Sequence, residues 1–567
     1  MICQWFNNTH AALNPRNVQD LQILLSGAAG TGKTFLVEKV IERIGSHRVK
    51  CVSFQGIAAS LLPNGQTIHT AFALSVKGPG SSANSSRYIE ARRAFDGVVL
   101  LVIDEISNTA SNLFLAMDRR LKEWRGNNLP FGGLGVIAMG DMFQLPPVAG
   151  LALTHASLIK GNPAGSLFAR FKLVTLSKQM RADDQEHAKQ LEYFRNPSHS
   201  MKPVLHSKIL SSLKPISSAD YESDPLWFDA TIIVSENATR ITLNRSQAML
   251  FARKHNQPVI SWRMTLTEDS RSIFTEACRG DLKRLDDIMD AIPELTFYFV
   301  KGAPAVMKDN LWTSEGLVNG RMCKLHSLTL DGPTAAMSWE RINKAGPGEE
   351  VMLPVTPLSV NVTIEKVSPR LAALSIEEGI VVLPLMQQLD NPRKLTTGKK
   401  QVRYPGKGQS KVCLSYFDYG IDLAFAVTYH KVQGRTLNRV IIDFSSVNNV
   451  SVAGFYVAVS RTTCQDHIRI LPCSDVIMRR QLEEKEFDSE LVEWLARKTN
   501  DAELLRRLGV SVVDELICSK RILENDSDSD TDDAGFASQR PRVKDSSIVA
   551  DDNEEHAGVV YQNAIFD

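Results

Sequence analysis

The sequence predicts an α/β chain with two parallel-sheet units, a small β-rich insertion in the second and an acidic tail. Three observations predict it. The apolar runs Val98 to Ile103 and Leu134 to Met139 are continuous and end in Asp104-Glu105 and Gly140-Asp141. Such runs fit parallel strands buried on both faces. Between strand-like runs, Leu36, Val37, Val40, Ile41 and Ile44 recur at helical spacing. Between Lys324 and Gly420 the text turns to Pro, Gly and short β-branched runs such as Val360 to Ile364 and Ile380 to Leu383. Strands alternating with helices give an open sheet, and ligands of such sheets sit at the carboxyl ends of the strands.

The elements follow in order. Leu21 to Leu25 reads as a strand, Thr34 to Ile44 as a helix and Val49 to Phe54 as a second strand. Residues 78–86, rich in Gly and Ser, read as a flexible loop. A second α/β set starts near Ala230 and resumes from Ile421 to about Leu471. The expected organisation is 1–175 for the first unit, with a small insertion near 65–95. The second unit takes 176–322 and 416–475, interrupted by the β insertion at 323–415. A helical segment at 476–522 precedes the tail, 523–567, whose Asp, Ser and Glu predict disorder.

Composition narrows the class. A chain of 567 residues exceeds one ordinary domain, and its 43% hydrophobic share allows large cores. Lys and Arg number 65 against 64 Asp and Glu. That balance neither demands nor excludes a nucleic-acid partner, because a local basic groove can hide in it. The eight cysteines include no C-x-x-C pair, which argues against a zinc framework and a secreted disulfide scaffold. No apolar run approaches the ~20 residues needed to span a bilayer. The expectation is a soluble intracellular protein.

The chemistry concentrates at strand ends. Gly27-Ala28-Ala29-Gly30-Thr31-Gly32-Lys33-Thr34 matches G-x-x-x-x-G-K-[ST] between a strand and a helix. Its glycines let backbone N–H groups curl around phosphates at a helix N-terminus. Lys33 can reach the terminal phosphates, and the Thr34 hydroxyl can hold Mg²⁺. Asp104 can hold the same ion, and Glu105 can polarise an attacking water. Alone, an Asp-Glu pair also fits a helix start. Gln144, in the stretch GDMFQLPPV, is placed to sense a terminal phosphate.

These motifs resemble those of superfamily 1B helicases, the PIF-type 5′-to-3′ DNA helicases in particular. The likeness continues through Gln66-Thr67-Ile68-His69, Leu317-Val318-Asn319-Gly320-Arg321, IDLAFAVTYHKVQGRT at 421–436 and FYVAVSRTT at 455–463. It covers about residues 20–470. The resemblance implies two RecA-like P-loop domains, an SH3-like β insertion, and ATP and Mg²⁺ as cofactors. It implies translocation on single-stranded DNA, unwinding of forked or 5′-tailed duplex, and a monomer working on DNA in the nucleus or mitochondrion. Repair, recombination and telomere maintenance are the implied settings.

Residue by residue, it implies an arginine finger at Arg461 and a second γ-phosphate contact at Arg181, in LSKQMR. Gln433 and Gly434 are implied at the nucleotide, and Gln55, His69, His430, Lys431 and Thr436 at DNA. Phe72 and Tyr429 are further grip candidates, with core packing an equal reading for Phe72. Residues 78–86 stand where the family carries a strand-separating pin, and Trp227 and Phe228 read as core or interface. Three positions depart from the pattern. Val432 replaces a small residue, Gln55 replaces Thr, and the upstream adenine-reading glutamine has Gln4 as its one candidate. Two other readings stay open: the helicase region of a Helitron-type transposon, and a nucleic-acid-binding module with a decayed ATPase.

Overall fold

The computed structural model describes residues 21–75, 85–158, 162–182, 184–195, 213–272, 292–365, 367–377, 380–389, 392–398, 411–444, 451–472 and 488–507. Gln4, most of the expected loop and pin at 78–86, and the acidic tail lie outside these residues.

Six strands build the first sheet: β1 (Gln22–Gly27), β2 (Val49–Ser53), β3 (Gln66–Thr67), β4 (Leu100–Asp104), β5 (Gly135–Gly140) and β6 (Lys172–Leu176). Their order is β3-β2-β4-β5-β1-β6, and every pairing is parallel. β4 and β5 are buried at every position, as continuous apolar runs require. Helix Lys33–Ile44 buries Val37, Val40, Ile41 and Ile44 against this sheet. Gly45, at φ 97°, ends it in a conformation that favours glycine.

The second parallel sheet has four strands, ordered Ala426–Thr428, Thr231–Val234, Val440–Ile442 and Ile468–Ile470. Thr231–Val234 is separated in sequence from the other three strands by the β-rich body. That body starts earlier than the expected 323. Val259–Arg263 pairs antiparallel with Thr296–Phe299 and parallel with Glu350–Met352, outside the second sheet. A five-stranded antiparallel sheet runs Val382–Met386, Ser359–Thr363, Met322–Thr329, Pro304–Met307, Ile421–Leu423. Strands outside the expected 323–415, from Val259–Arg263 to Ile421–Leu423, thus pair with strands inside it. Val259–Arg263 looks like another parallel core strand, and its true partner lies far along the chain.

One apolar cluster joins the two units. It holds Phe143 and Leu145 from the first, Leu191 and Phe194 from the connection, and Phe455, Tyr456 and Val459 from the second. Helix Ser489–Thr499 closes on the first unit by stacking Trp494 on Phe168, ring centroids 5.6 Å apart. Trp227 is core, as expected, whereas Phe228 is exposed and carries the Lys254 ammonium over its ring. Among the described residues no helix is long and apolar enough to cross a membrane.

Candidate functional site

The Gly27–Thr34 turn leaves β1 at its carboxyl end. Gly30 and Gly32 adopt φ of 82° and 83°, left-handed values that admit a tight phosphate-binding curl. Thr31 Oγ1 donates to the Ala28 carbonyl at 2.9 Å and pins the curl. Lys33 Nζ turns back and donates to the carbonyls of Gly27 (2.9 Å) and Ala28 (3.0 Å). Burial pushes its pKa down, against Asp141, Glu105 and Asp104, which pull it up. Lys33 is thus a desolvated cation held beside three carboxylates.

Asp104 ends β4 and is buried. Burial, then the Glu105 charge, raises its pKa from 3.8 to about 7. Glu105 takes φ 51°, a left-handed conformation costly for a side chain this size, and such strain gathers at functional sites. Burial raises the Glu105 pKa too, with Lys33 and Arg461 opposing. Two desolvated carboxylates suit a hard divalent cation, which takes one or two protein carboxylates plus phosphate oxygens. Among the described residues no group of three or more acidic, His or Cys side chains could hold a metal unaided.

The Asp104 shift makes a prediction. The folded-state pKa lies above the unfolded one. This group's stabilising contribution is therefore full below about pH 4 and is lost as pH rises to about 7. Asp104→Asn should raise the Tm of the ligand-free protein in EDTA at pH 8 and change it far less at pH 5. An equal lowering of Tm at both values would contradict the assignment.

Gln144 is buried, with Nε2 3.5 Å from Asp141 Oδ2 and no partner for Oε1 among the described residues. Gln433 donates from Nε2 to Glu105 Oε2 at 3.3 Å, and its Oε1 also lacks a partner among the described residues. Two orphaned amide oxygens at one cleft are the mark of a site awaiting a donor. Gly434 (φ 75°) passes so close that an added Cβ would stand 3.7 Å from Glu105 Oε1. The second unit thus reaches the first at Glu105.

Arg181 and Arg461 flank that contact. The Gln179–Arg181 segment lies on the P-loop: Gln179 Nε2 donates to the Ala29 carbonyl (2.9 Å) and Met180 N–H to the Gly30 carbonyl (2.9 Å). Arg181 Nη1 donates across to the Ser460 carbonyl at 3.3 Å. Arg461, 1% exposed, donates to the carbonyls of Val457 (2.8 Å), Val432 (3.4 Å) and Arg435 (3.3 Å) and to Ser460 Oγ (2.7 Å). Burial lowers its pKa to about 10, with Arg181 adding to the fall and Glu105 opposing it. Its hydrogen bonds all stay in its own unit, while its field already reaches Glu105.

Three residues of this site escaped the sequence reading. Asp141, fully buried at the end of β5, accepts from Tyr456 Oη (2.6 Å) and Arg195 Nε (3.3 Å). Tyr456 lies on helix Val452–Val459, which leads into Arg461, so this clasp ties the Gln144 loop to that helix. The motifs held Asp141 and Tyr456, but only the fold joins them.

The expected DNA contacts divide. Gln55 stands at the N-cap of helix Gly56–Ser60, and His69 meets Phe54 edge-on at 6.0 Å. His430 and Lys431 are half-buried and Thr436 is exposed. Two grip candidates are corrected. Phe72 is fully buried, stacked on Trp124 at 5.9 Å. Tyr429 is buried in the apolar cluster, because the short helix Tyr429–Val432 turns it inward. The departure at Val432 is also explained: it is a core residue, 1% exposed.

Comparison with known proteins agrees with this geometry. The PIF1-like helicase family matches residues 10–202, and a second helicase family matches 407–493. An ATP-dependent DNA helicase Pif1 of Psychrobacter is 24% identical over 466 residues, 81% of this chain and 66% of its own length. The ATP-dependent DNA helicase PIF7 of Trypanosoma brucei is 25% identical over 78% of this chain and 43% of its own. The chain thus spans less than two thirds of either relative. The solved Pif1 helicase of Candida albicans shares the fold, with TM-score 0.55, 19% identity, and coverage of 88% of this chain and 98% of its own. A Bacteroides Pif1 helicase, solved with ADP-AlF3 and single-stranded DNA, gives TM-score 0.54 at 19% identity, covering 88% and 97%. With its motifs in family order and both parallel sheets in place, the chain resembles the PIF1-like helicases, whose family model matches residues 10–202, and shares the fold of the solved Pif1 helicases.

Proposed function

We propose that the chain is an ATP-driven 5′-to-3′ DNA helicase that moves along single-stranded DNA. The observation that carries the reading is the meeting of two units at Glu105: the P-loop, Asp104 and Gln144 on one, Gln433, Gly434 and Arg461 on the other.

The Gly27–Thr34 turn would cradle the phosphates, and Lys33 would leave the Gly27 and Ala28 carbonyls for the terminal phosphates. Thr34 and Asp104 would hold Mg²⁺, which supplies charge neutralisation at the phosphates when bound. Glu105, its basicity raised by burial, would orient and deprotonate the attacking water. Gln144 would report the terminal phosphate through Asp141 and Tyr456 to the helix leading into Arg461. Arg181 and Arg461 would meet charge on the transferred group. Closing and opening of the units, each gripping DNA in turn through Gln55, His69, His430, Lys431 and Thr436, gives the step. One chain is the proposed translocating unit, acting on genomes of nucleus or mitochondrion in repair, recombination or telomere maintenance.

With ATP and Mg²⁺, a 5′-tailed duplex should be unwound and a 3′-tailed one left intact. Faster unwinding of the 3′-tailed substrate would overturn the polarity.

A further inference from the structure

Arg435 is a half-buried cation with no counter-ion among the described residues. Its Nε and Nη2 are out of solvent and have no hydrogen-bond partner among the described residues. The guanidinium lies over Gly320, where an added Cβ would stand 3.4 Å from Nη2 and 3.4 Å from the Ile57 side chain. Three parts of the chain meet there: Ile57 of the first unit, the Gly320–Arg321 turn of the β body, and the 433–436 segment of the second unit. The turn is held firmly. Asn310 Oδ1 accepts the Asn319 N–H at 2.9 Å, and a Cβ on Gly56 would come within 2.4 Å of that oxygen.

Burial lowers the Arg435 pKa to about 10, and Arg321, the charged neighbour acting on it among the described residues, lowers it further. Arg321 donates to a neutral acceptor, the Glu365 carbonyl, at 2.5 Å. A desolvated guanidinium beside a like charge destabilises the ligand-free fold. An anion that satisfies the orphaned donors reverses that. The side chain is partly exposed, so such an anion can enter from solvent.

We propose that Arg435, seconded by Arg321, binds one backbone phosphate of single-stranded DNA at this three-way junction. The proposal rests on the helicase reading and extends it. The Arg435 carbonyl accepts from Arg461 Nη1 at 3.3 Å, and Gln433, two residues away, bonds Glu105. A phosphate seated on the Arg435 side chain therefore pulls on the backbone that restrains Arg461. That gives DNA occupancy a short route to the nucleotide cleft.

Arg435→Met and Arg435→Lys in the full chain test it, with fluorescent oligo(dT) titrated at several salt concentrations without nucleotide. Arg435→Met should weaken binding on the order of tenfold and lower the slope of log affinity against log salt by about 0.7, the share of one single-strand phosphate. Arg435→Lys should keep most of the slope. Affinity for a fluorescent ADP should stay within about twofold, and the Tm of Arg435→Met should not fall. Unchanged oligo(dT) affinity and slope in Arg435→Met would overturn the proposal and leave the helicase reading intact. A loss confined to ADP affinity would assign Arg435 to the nucleotide instead. Wild-type protein that fails to bind oligo(dT) would overturn both readings.

Discussion

Lys33→Ala is expected to lower DNA-stimulated ATP turnover by ~10³ or more while single-strand binding stays within about twofold of wild type. The magnitude follows from where the ammonium sits. Burial has already removed its hydration, so its field at a phosphate is worth more than in water. Its present partners, the Gly27 and Ala28 carbonyls, are neutral and belong to its own loop, so an alanine removes only two local bonds. Folding should therefore survive the change. The desolvated carboxylates Asp104 and Glu105 would lose their nearest opposing charge, so their pKa values should climb further. Turnover in steady state, measured with saturating oligo(dT), checks the prediction. A variant retaining more than a tenth of wild-type turnover would remove Lys33 from the reaction.

How much of this was legible beforehand depended on contact range. The P-loop was readable because its shape is set by eight adjacent residues and its flanks by local periodicity. Asp104 was readable because an acid ending a strand buried on both faces, in a chain that also carries a P-loop, stands where ligands of open sheets bind. The pairing of Val259–Arg263 with Glu350–Met352 was not readable, because it depends on residues far downstream. Tyr429 looked like a base platform because aromatic residues near basic ones suggest nucleic acid. The fold instead turns it into the cluster shared with Phe455. The Asp141–Tyr456 clasp joins positions 315 residues apart, and no local pattern encodes such a pair. Arg435 was passed over for a related reason. Its meaning lies in a missing partner, which only assembled neighbours reveal.

The remaining prediction concerns Arg461, where the resemblance implies a finger and the geometry shows a clamped side chain. Nε, Nη1 and Nη2 are all satisfied within the second unit, by three carbonyls and one hydroxyl. To reach a terminal phosphate, the guanidinium must exchange the Val432 and Arg435 carbonyls for phosphate oxygens. Those two bonds are the long ones, 3.4 and 3.3 Å, while the Val457 bond at 2.8 Å can act as a pivot. The exchange is favourable because a charged acceptor bonds an arginine about twice as strongly as a neutral one. Arg461→Lys should then fail almost as badly as Arg461→Ala, each losing ~10³ in turnover, because a lysine cannot keep the pivot and offer two parallel donors. Arg181→Ala should lose less, on the order of tenfold to a hundredfold, because its guanidinium reaches Ser460 from the segment that lies on the P-loop and shares the phosphate with Lys33. Removing Arg461 also strands buried carbonyls, so thermal unfolding must be followed in parallel and turnover compared well below each Tm. If Arg461→Lys turns over ATP at more than a tenth of the wild-type rate while folded, the pivot account is wrong. The residue would then serve only to brace the turn at 432–435.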